Sequence, residues 1–253
     1  MATSIQLSVV IITKNEGQNL RRCLPVIQSI ADEIVIVDSG STDDTQQVAE
    51  SFNARFVYHP FTGYTDQKNK ATELATFDYV LNLDADEWPD ETLLANLKSI
   101  KQNWNADGYY FNRLTNYCGT WIRHTDWYPD QQYRLFDRRK AKWGGPNLHE
   151  KLVFESEPKL VYLKGDLLHF SFQSISQHLS KIDLYTTLGA QIAFQQGKRA
   201  TYSKILFSPI FKFIKSYILR RGFLDGYHGF VVATLSSFAS MAKYLKMKDL
   251  ERD

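Results

Sequence analysis

The chain has 253 residues, 43% hydrophobic and 23% charged, which excludes a disordered chain and suffices for a core that needs neither disulfides nor a structural metal. A net charge of +2 is too small to point to nucleic acid, and two cysteines, Cys23 and Cys118, without a nearby ligand partner argue against zinc and fit a reducing compartment. The first residues lack a basic segment followed by an apolar run, so the expectation is a cytoplasmic protein without a secretory leader.

Residues 7–12 are a β-branched apolar run, the pattern of a buried strand. Residues 19–30 carry Leu20, Leu24, Ile27 and Ile30 at helical spacing. A second buried strand is predicted at 34–37 and a helix at 42–52, with Thr42, Asp43 and Asp44 suited to its first turn. A strand at 55–58, a helix at 66–75, a strand at 79–83 and a helix from about 89 to 100 complete the series, with Pro89 fitting the first turn of the last. Strands alternating with helices of this length predict a mixed, mostly parallel α/β sheet covered on both faces. After residue 102 the rhythm changes to short strands at 109–114, 133–136, 151–154 and 160–162 in an aromatic stretch, and helix returns over 174–196. The expected division is a main domain over 1–197, its first 102 residues on one side of the chemistry and 103–197 on the other, followed by a helical appendage over 198–253.

In open α/β sheets, ligands bind at the carboxyl ends of the strands. Here strand one runs into Thr13-Lys14-Asn15-Glu16-Gly17, strand two into Asp38-Ser39-Gly40-Ser41-Thr42, and strand four into Asp84-Ala85-Asp86-Glu87. One rim is therefore polar and acidic. Asp84 and Asp86 present closely spaced hard oxygens, which suit Mg²⁺ or Mn²⁺ held together with substrate phosphates, although Asp86 is also placed to cap the next helix. No Walker loop occurs and no G-x-G-x-x-G follows strand one, which argues against a P-loop hydrolase and a dinucleotide-dependent dehydrogenase.

These three clusters, in this order and spacing, resemble the nucleotide-binding half of the family-two inverting glycosyltransferases of the GT-A (Rossmann-like) fold. The resemblance implies that Thr13, Asn15, Glu16, Asp38 and Ser39 surround the nucleoside of a UDP-sugar. It further implies Lys68 near the base or phosphates, Asp84 near the ribose, and Asp86 on the metal. Tyr128-Pro129-Asp130, Arg134-Leu135-Phe136, His149-Glu150 and residues 221–226 resemble the bacterial lipopolysaccharide core β-1,4-glucosyltransferases. That implies glucose transfer from UDP-glucose to an inner-core heptose of a lipid-linked acceptor. The chain departs from many family members in having no Glu-Asp dipeptide, and Gln131 and Arg134 are followed by Leu135 rather than the tryptophan of processive enzymes. A single-addition transferase is expected.

Inverting transfer needs a carboxylate to take the acceptor proton. Glu150 is the first candidate, following a glycine-bearing stretch at 144–149, and Asp130, beside Trp127 and Tyr128, is the second. His149 fits a structural hydrogen-bonding role, and His169 is expected either in such a role or in the metal shell beside Asp86. Arg134 reads equally as an acceptor-phosphate ligand or a buried ion pair. Trp121, Trp127, Tyr128 and Trp143 are candidates for stacking on sugar rings, with core packing as the alternative for each.

Charge is unevenly spread. Residues 184–224 contain no Asp or Glu but include Lys198, Arg199, Lys204, Lys212, Lys215, Arg220 and Arg221. Residues 209–221 predict a basic amphipathic helix with Ile210, Phe213, Ile214 and Tyr217 on one face. It is suited either to peripheral contact with the cytoplasmic face of an anionic inner membrane or to packing on the main body. Residues 226–242 carry no charge but are too short and too rich in glycine and serine to span a bilayer.

Overall fold

The computed structural model describes residues 4–145 and 150–251. The chain forms two compact units, Met1–Arg113 with Gln131–His169, and Leu114–Asp130 with Phe170–Asp253. The expected boundary after residue 197 falls inside the second unit.

The first unit opens with strict alternation: β1 (Leu7–Thr13), α1 (Gly17–Ile27), β2 (Glu33–Asp38), α2 (Thr45–Ser51), β3 (Arg55–Tyr58), α3 (Tyr64–Leu74) and β4 (Tyr79–Asp84). There follow β5 (Glu87–Pro89), α4 (Glu91–Gln102), β6 (Gly108–Tyr117), β7 (Thr120–Trp121), β8 (Asp130–Asp137), β9 (Ala141–Gly144), β10 (Lys151–Phe154) and β11 (Leu160–Phe172). The main sheet has the order β3-β2-β1-β4-β8-β6-β11-β5. The pairs β1–β2, β1–β4 and β2–β3 are parallel, whereas β4–β8 and β5–β11 are antiparallel. This is the mixed, mostly parallel α/β sheet expected.

Strand period decides what each face holds. Val9 and Ile11, Ile34 and Ile36, Leu81 and Leu83 turn to one side and pack with Leu20, Leu24, Ile27, Val48 and Leu93 of the covering helices. Val10, Val35, Val37, Val80 and Phe136 turn to the other, against Ala71 of α3, Ala75 just past its end and Trp143 of β9.

Several boundaries differ from the sequence pattern for local reasons. Residues 42–44 precede α2 because side-chain hydrogen bonds hold them in a loop, and Pro89 ends a strand instead of starting a helix. The cap of α4 is Asp90, whose Oδ1 accepts from the Leu93 amide at 2.7 Å, so Asp86 is not the cap. β11 extends far beyond 160–162 because Gly165, at φ +109°, carries the strand past a polar interruption. A Cβ there would meet the Leu93 backbone nitrogen at 2.3 Å.

The second unit is largely helical, with α5 (Ile175–Gln195), α6 (Tyr202–Phe213), a π-helical stretch Ile214–Leu219 and α7 (Gly226–Asp249). Among the described residues no helix is long and apolar enough to cross a membrane. Helix α6 begins well before Pro209, with Thr201 accepting from the Lys204 amide. Proline is therefore inside a helix predicted to start there. The face of that helix is also corrected: Phe213 and Tyr217 pack edge-on against Phe230 of α7, so they point inward.

His178 of α5 is buried among Tyr117, Trp127 and Phe172, with Nδ1 3.0 Å from the Tyr117 hydroxyl. Burial, aided by Lys181, lowers its pKa to about 4. Because the folded value lies below the unfolded ~6.5, its contribution to stability is complete above pH 6.5 and is lost as pH falls towards 4. Between pH 7.5 and 5.5 this group should cost the native state about 1.4 kcal/mol. Urea unfolding at both pH values should show His178→Gln losing less stability than the parent by that amount. Equal losses would show that the imidazole does not resist protonation.

Candidate active site

The loops after β1 and β2 are joined by side chains into one rim of the first unit. Thr13 Oγ1 donates to Asp38 Oδ1 at 3.0 Å, and Asp38 Oδ2 accepts from the Gly40 and Ser41 amides at 2.7 Å each. The Ser41 hydroxyl donates to Oδ1 as well. A carboxylate has about four acceptor sites, so Asp38 is occupied in shaping this turn. Asn15 sits at φ +57°, its amide donating to Ser41 Oγ at 2.7 Å and its Oδ1 accepting from the Thr42 amide at 2.8 Å. The Glu16 amide donates to Thr45 Oγ1 at 2.9 Å, and the Glu16 carboxylate accepts from Asn19. A Cβ at Gly17 would lie 2.0 Å from Asp44 Oδ1, the end of an exposed side chain, and 3.2 Å from the Thr45 backbone nitrogen, so the loop and helix approach closely here. Ser39 accepts from buried Gln67, which also reaches the His59 carbonyl at 3.2 Å.

The second cluster follows from register. Val80 pairs with Phe136, so by period two Asn82 and Asp84 share a face with Arg134. Lys68, Ala71 and Thr72 are on the buried side of α3, over that face. Lys68 is 3% exposed. Its Nζ lies 2.9 Å from Glu150 Oε1, 3.4 Å from Asp84 Oδ1 and 4.9 Å from the centre of the Trp143 ring. Arg134 Nη2 donates to Asp84 Oδ2 at 2.7 Å and to Glu87 Oε1 at 3.0 Å. Burial alone would raise the Asp84 pKa, but Arg134, Lys68 and Arg113 outweigh it and hold the carboxyl well below the usual range. Asp84 is therefore ionised throughout the neutral range.

Glu87, 0% exposed, was not singled out by sequence reasoning. It accepts from Arg134, from Arg113 Nη1 at 3.1 Å and from the Asp84 amide at 3.2 Å, clamping the Asp84–Asp86 turn. A glutamate beside tryptophan and proline carries no local sign of such burial. Asn69 was also missed: its side chain brackets the Trp143 backbone with two 2.9 Å hydrogen bonds and fastens the β9–β10 hairpin to α3. The Asn82 amide, Arg134 Nε and Trp143 Nε1 are buried without a protein partner. Arg134 is thus the buried ion pair of its two readings, and Trp143, 5% exposed, packs in the core.

At the carboxyl end of β4, Asp86 Oδ2 lies 3.4 Å from His169 Nε2. Two donors at 2.0–2.1 Å on one edge of an octahedral cation stand roughly 3 Å apart, so this pair fits a divalent ion within a few tenths of an ångström. Among the described residues no cluster of three or more His, Cys, Asp or Glu side chains is placed to hold a metal. This pair would supply two ligands and leave positions for oxygen donors of a substrate.

Trp127, Tyr128 and Asp130 belong to the second unit. Trp127 stacks on Phe172, with ring centres 5.4 Å apart, whereas Tyr128 and Asp130 are part-exposed. Trp121 meets Phe170 edge-on. His149 lies outside the described residues. A shallow hollow lined by Tyr79, Trp104, Arg139 and Lys140 is at the amino end of β4, away from this chemistry, and its charges are paired with Asp137 and Asp107.

Comparison with known proteins places these observations. Among solved structures, residues 1–349 of TarS from S. aureus align over 98% of this chain and 91% of theirs at 13% identity, with a TM-score of 0.46, too loose an overlay for residue correspondences. The chain is 30% identical over 255 residues to an uncharacterised glycosyltransferase of Rickettsia prowazekii (strain Madrid E), covering 97% of this chain and 87% of the relative. It is 31% identical over 240 residues to the lipopolysaccharide core biosynthesis glycosyltransferase LpsC of Rhizobium meliloti (strain 1021), covering 92% and 88%. The profile of glycosyl transferase family 2 matches residues 8–153, which hold the rim loops, the Asp84–Asp86 turn and Glu150. With its GT-A architecture and these relatives, the chain belongs to glycosyl transferase family 2.

Proposed function

We propose that this glycosyltransferase moves a hexose, glucose from UDP-glucose, onto the inner-core heptose of lipopolysaccharide with inversion at the anomeric carbon. The observation that carries the reading is the meeting, at the carboxyl end of β4, of the Asp86–His169 pair with the Lys68–Asp84–Glu150 cluster on one unit. The relative LpsC, named for lipopolysaccharide core biosynthesis, supports the acceptor class.

In this reading residues 1–102 hold the donor, 103–197 face the acceptor and 198–253 form the basic tail. Asn15, Glu16 and Ser39 contact the nucleoside. Thr13 and Asp38 act beneath them, because the Asp38 acceptor sites are already filled by the turn. Asp84 accepts a ribose hydroxyl while Arg134 and Lys68 keep it ionised, and Lys68 places positive charge beside the phosphates. Asp86 and His169 would hold Mg²⁺ or Mn²⁺; the nitrogen donor departs from the all-oxygen shell that suits Mg²⁺ and favours Mn²⁺. When bound, the ion neutralises charge on the departing diphosphate.

Glu150 takes the proton of the acceptor hydroxyl as its oxygen attacks the anomeric carbon. Its contact with Lys68 holds the carboxylate in one place before the acceptor arrives. Trp127, Tyr128 and Asp130 line the acceptor side, with Asp130 as the second choice of base. Arg134, buried against Asp84 and Glu87, acts through Asp84 on the donor and not on the acceptor. A lipid-linked acceptor puts the work at the cytoplasmic face of the inner membrane, with peripheral contact and no role for nucleic acid.

Release of nucleoside diphosphate from a panel of nucleotide sugars, with Mg²⁺ or Mn²⁺ and a heptose-terminated core acceptor, tests this. Acceptor-dependent UDP release is expected from UDP-glucose. Release from another donor would remove the glucosyl assignment, and release that ignores the heptose would remove the acceptor.

A further inference from the structure

The apolar surface left uncovered in the second unit is concentrated on α6 and the π-helical stretch after it. The sequence of α6, Tyr-Ser-Lys-Ile-Leu-Phe-Ser-Pro-Ile-Phe-Lys-Phe, is that of a core helix, yet none of its 12 residues, all described, is buried. Its inner side is satisfied by α7. Ser237 Oγ donates to the Pro209 carbonyl at 2.6 Å, Ser208 and Ser240 hydroxyls meet at 3.0 Å, and Phe213 and Tyr217 pack on Phe230. These contacts align the two helices antiparallel and fix which side of α6 faces away.

That outward side carries Leu206, Phe207, Ile210, Phe211, Ile218 and Leu219, each more than half exposed. They recur at spacings of three, four, seven and eight, so they form one continuous stripe. Charged residues exposed along it are of one sign: Lys204, Lys215, Arg220 and Arg221. No acidic residue occurs from 184 to 224. Asp225, which ends the run, is committed to the His124 ring at 2.7 Å and to the Arg123 and His124 amides. Lys212 is paired with Asp126, leaving the other cations of the stripe as the groups that meet a partner.

We propose that the outward face of residues 204–221 is a docking surface for an anionic lipid bilayer. Phe207, Ile210, Phe211 and Ile218 enter the boundary between headgroups and acyl chains, while Lys204, Lys215, Arg220 and Arg221 reach the lipid phosphates. An apolar stripe bordered by cations is the arrangement that interfacial helices use, with long basic side chains extending to the phosphate level. A second copy of the chain is a poorer occupant, since pairing this face with itself would bring the same cations together. The proposal deepens the reading of a lipid-linked acceptor and rests on it for its purpose, though not for its chemistry.

Flotation of the full chain, without nucleotide or acceptor, tests the surface. Vesicles of phosphatidylcholine mixed with phosphatidylglycerol should bind the protein about tenfold or more tightly than phosphatidylcholine alone, and high salt should reduce the difference. Phe207→Glu with Phe211→Glu should lower that binding about tenfold or more, with an unchanged melting temperature because both rings are mostly in solvent. Lys215→Glu with Arg220→Glu, which leaves the apolar stripe intact, should remove the preference for anionic vesicles. Both variants should retain transfer to a short water-soluble acceptor. Flotation of the phenylalanine variant equal to that of the parent would overturn the proposal. So would a parent that ignores anionic vesicles but sediments as a dimer separated by the same substitutions. If the sugar or acceptor assignment is wrong, transfer fails while flotation remains.

Discussion

Asp86→Ala is expected to lower kcat/KM by roughly 10³-fold or more, because in the proposed reading it removes the carboxylate that holds a metal whose charge stabilisation is worth several kcal/mol. The side chain is part-exposed, so the melting temperature should change little. Direct Mn²⁺ binding, followed by calorimetry in the presence of UDP, should weaken in parallel. His169→Ala should act in the same direction but less, since water can replace a neutral nitrogen donor more readily than a carboxylate. Transfer by Asp86→Ala within tenfold of the parent, at ordinary metal concentrations, would rule out the pair as the metal site.

Glu150→Gln should lower kcat by about 10²- to 10⁴-fold, the range for loss of a positioned general base. Glutamine preserves an oxygen for Lys68 Nζ, so UDP affinity and thermal stability should stay near the parent values. A loss of kcat with UDP affinity and thermal stability unchanged is the signature that a merely structural ion pair would not produce. The competing reading has its own signature. If Glu150 serves to neutralise buried Lys68, the substitution should lower the melting temperature, and Lys68→Met should restore it while activity stays lost. Asp130→Asn provides the control for the assignment. A rate loss of less than tenfold is expected there, and a collapse of kcat in that variant, with Glu150→Gln active, would exchange the two roles.

The contrast between these residues and the rest of the rim lies in how their side chains are occupied. Asp38 and Asp84 stand at equivalent ends of β2 and β4, the two strands that flank β1, and both looked like ligands from their positions. Asp38 accepts four hydrogen bonds from its own rim. Asp84 is held by two cations from one side and remains part-exposed on the other. The strand ends were legible because an apolar run that stops at polar residues marks both a strand and its mouth. The use of each carboxylate was not, because it depends on donors from other segments.

Helix α6 makes the same point for the second unit. The sequence pattern placed the start of this helix at residue 209, but the Thr201 cap starts it at Tyr202, so that Pro209 lies within it. Of the predicted apolar face, Phe213 and Tyr217 were turned inward by Phe230, while Ile210 and Ile214 stayed exposed beside Phe207, Phe211 and Ile218.

By itself the sequence determined the alternation of strands and helices, the two faces of β1, β2 and β4, and the three polar clusters at the strand ends. These follow from periods of two and 3.6 residues and from side-chain chemistry within short windows. Only the tertiary structure decided which charges are paired. Lys68 meets Glu150 across 82 positions, Arg134 meets Asp84 across 50, and Glu87 is buried beneath both sides of that pair. Such partnerships depend on strand register and on helix placement over the sheet, and neither leaves a periodic trace in the chain.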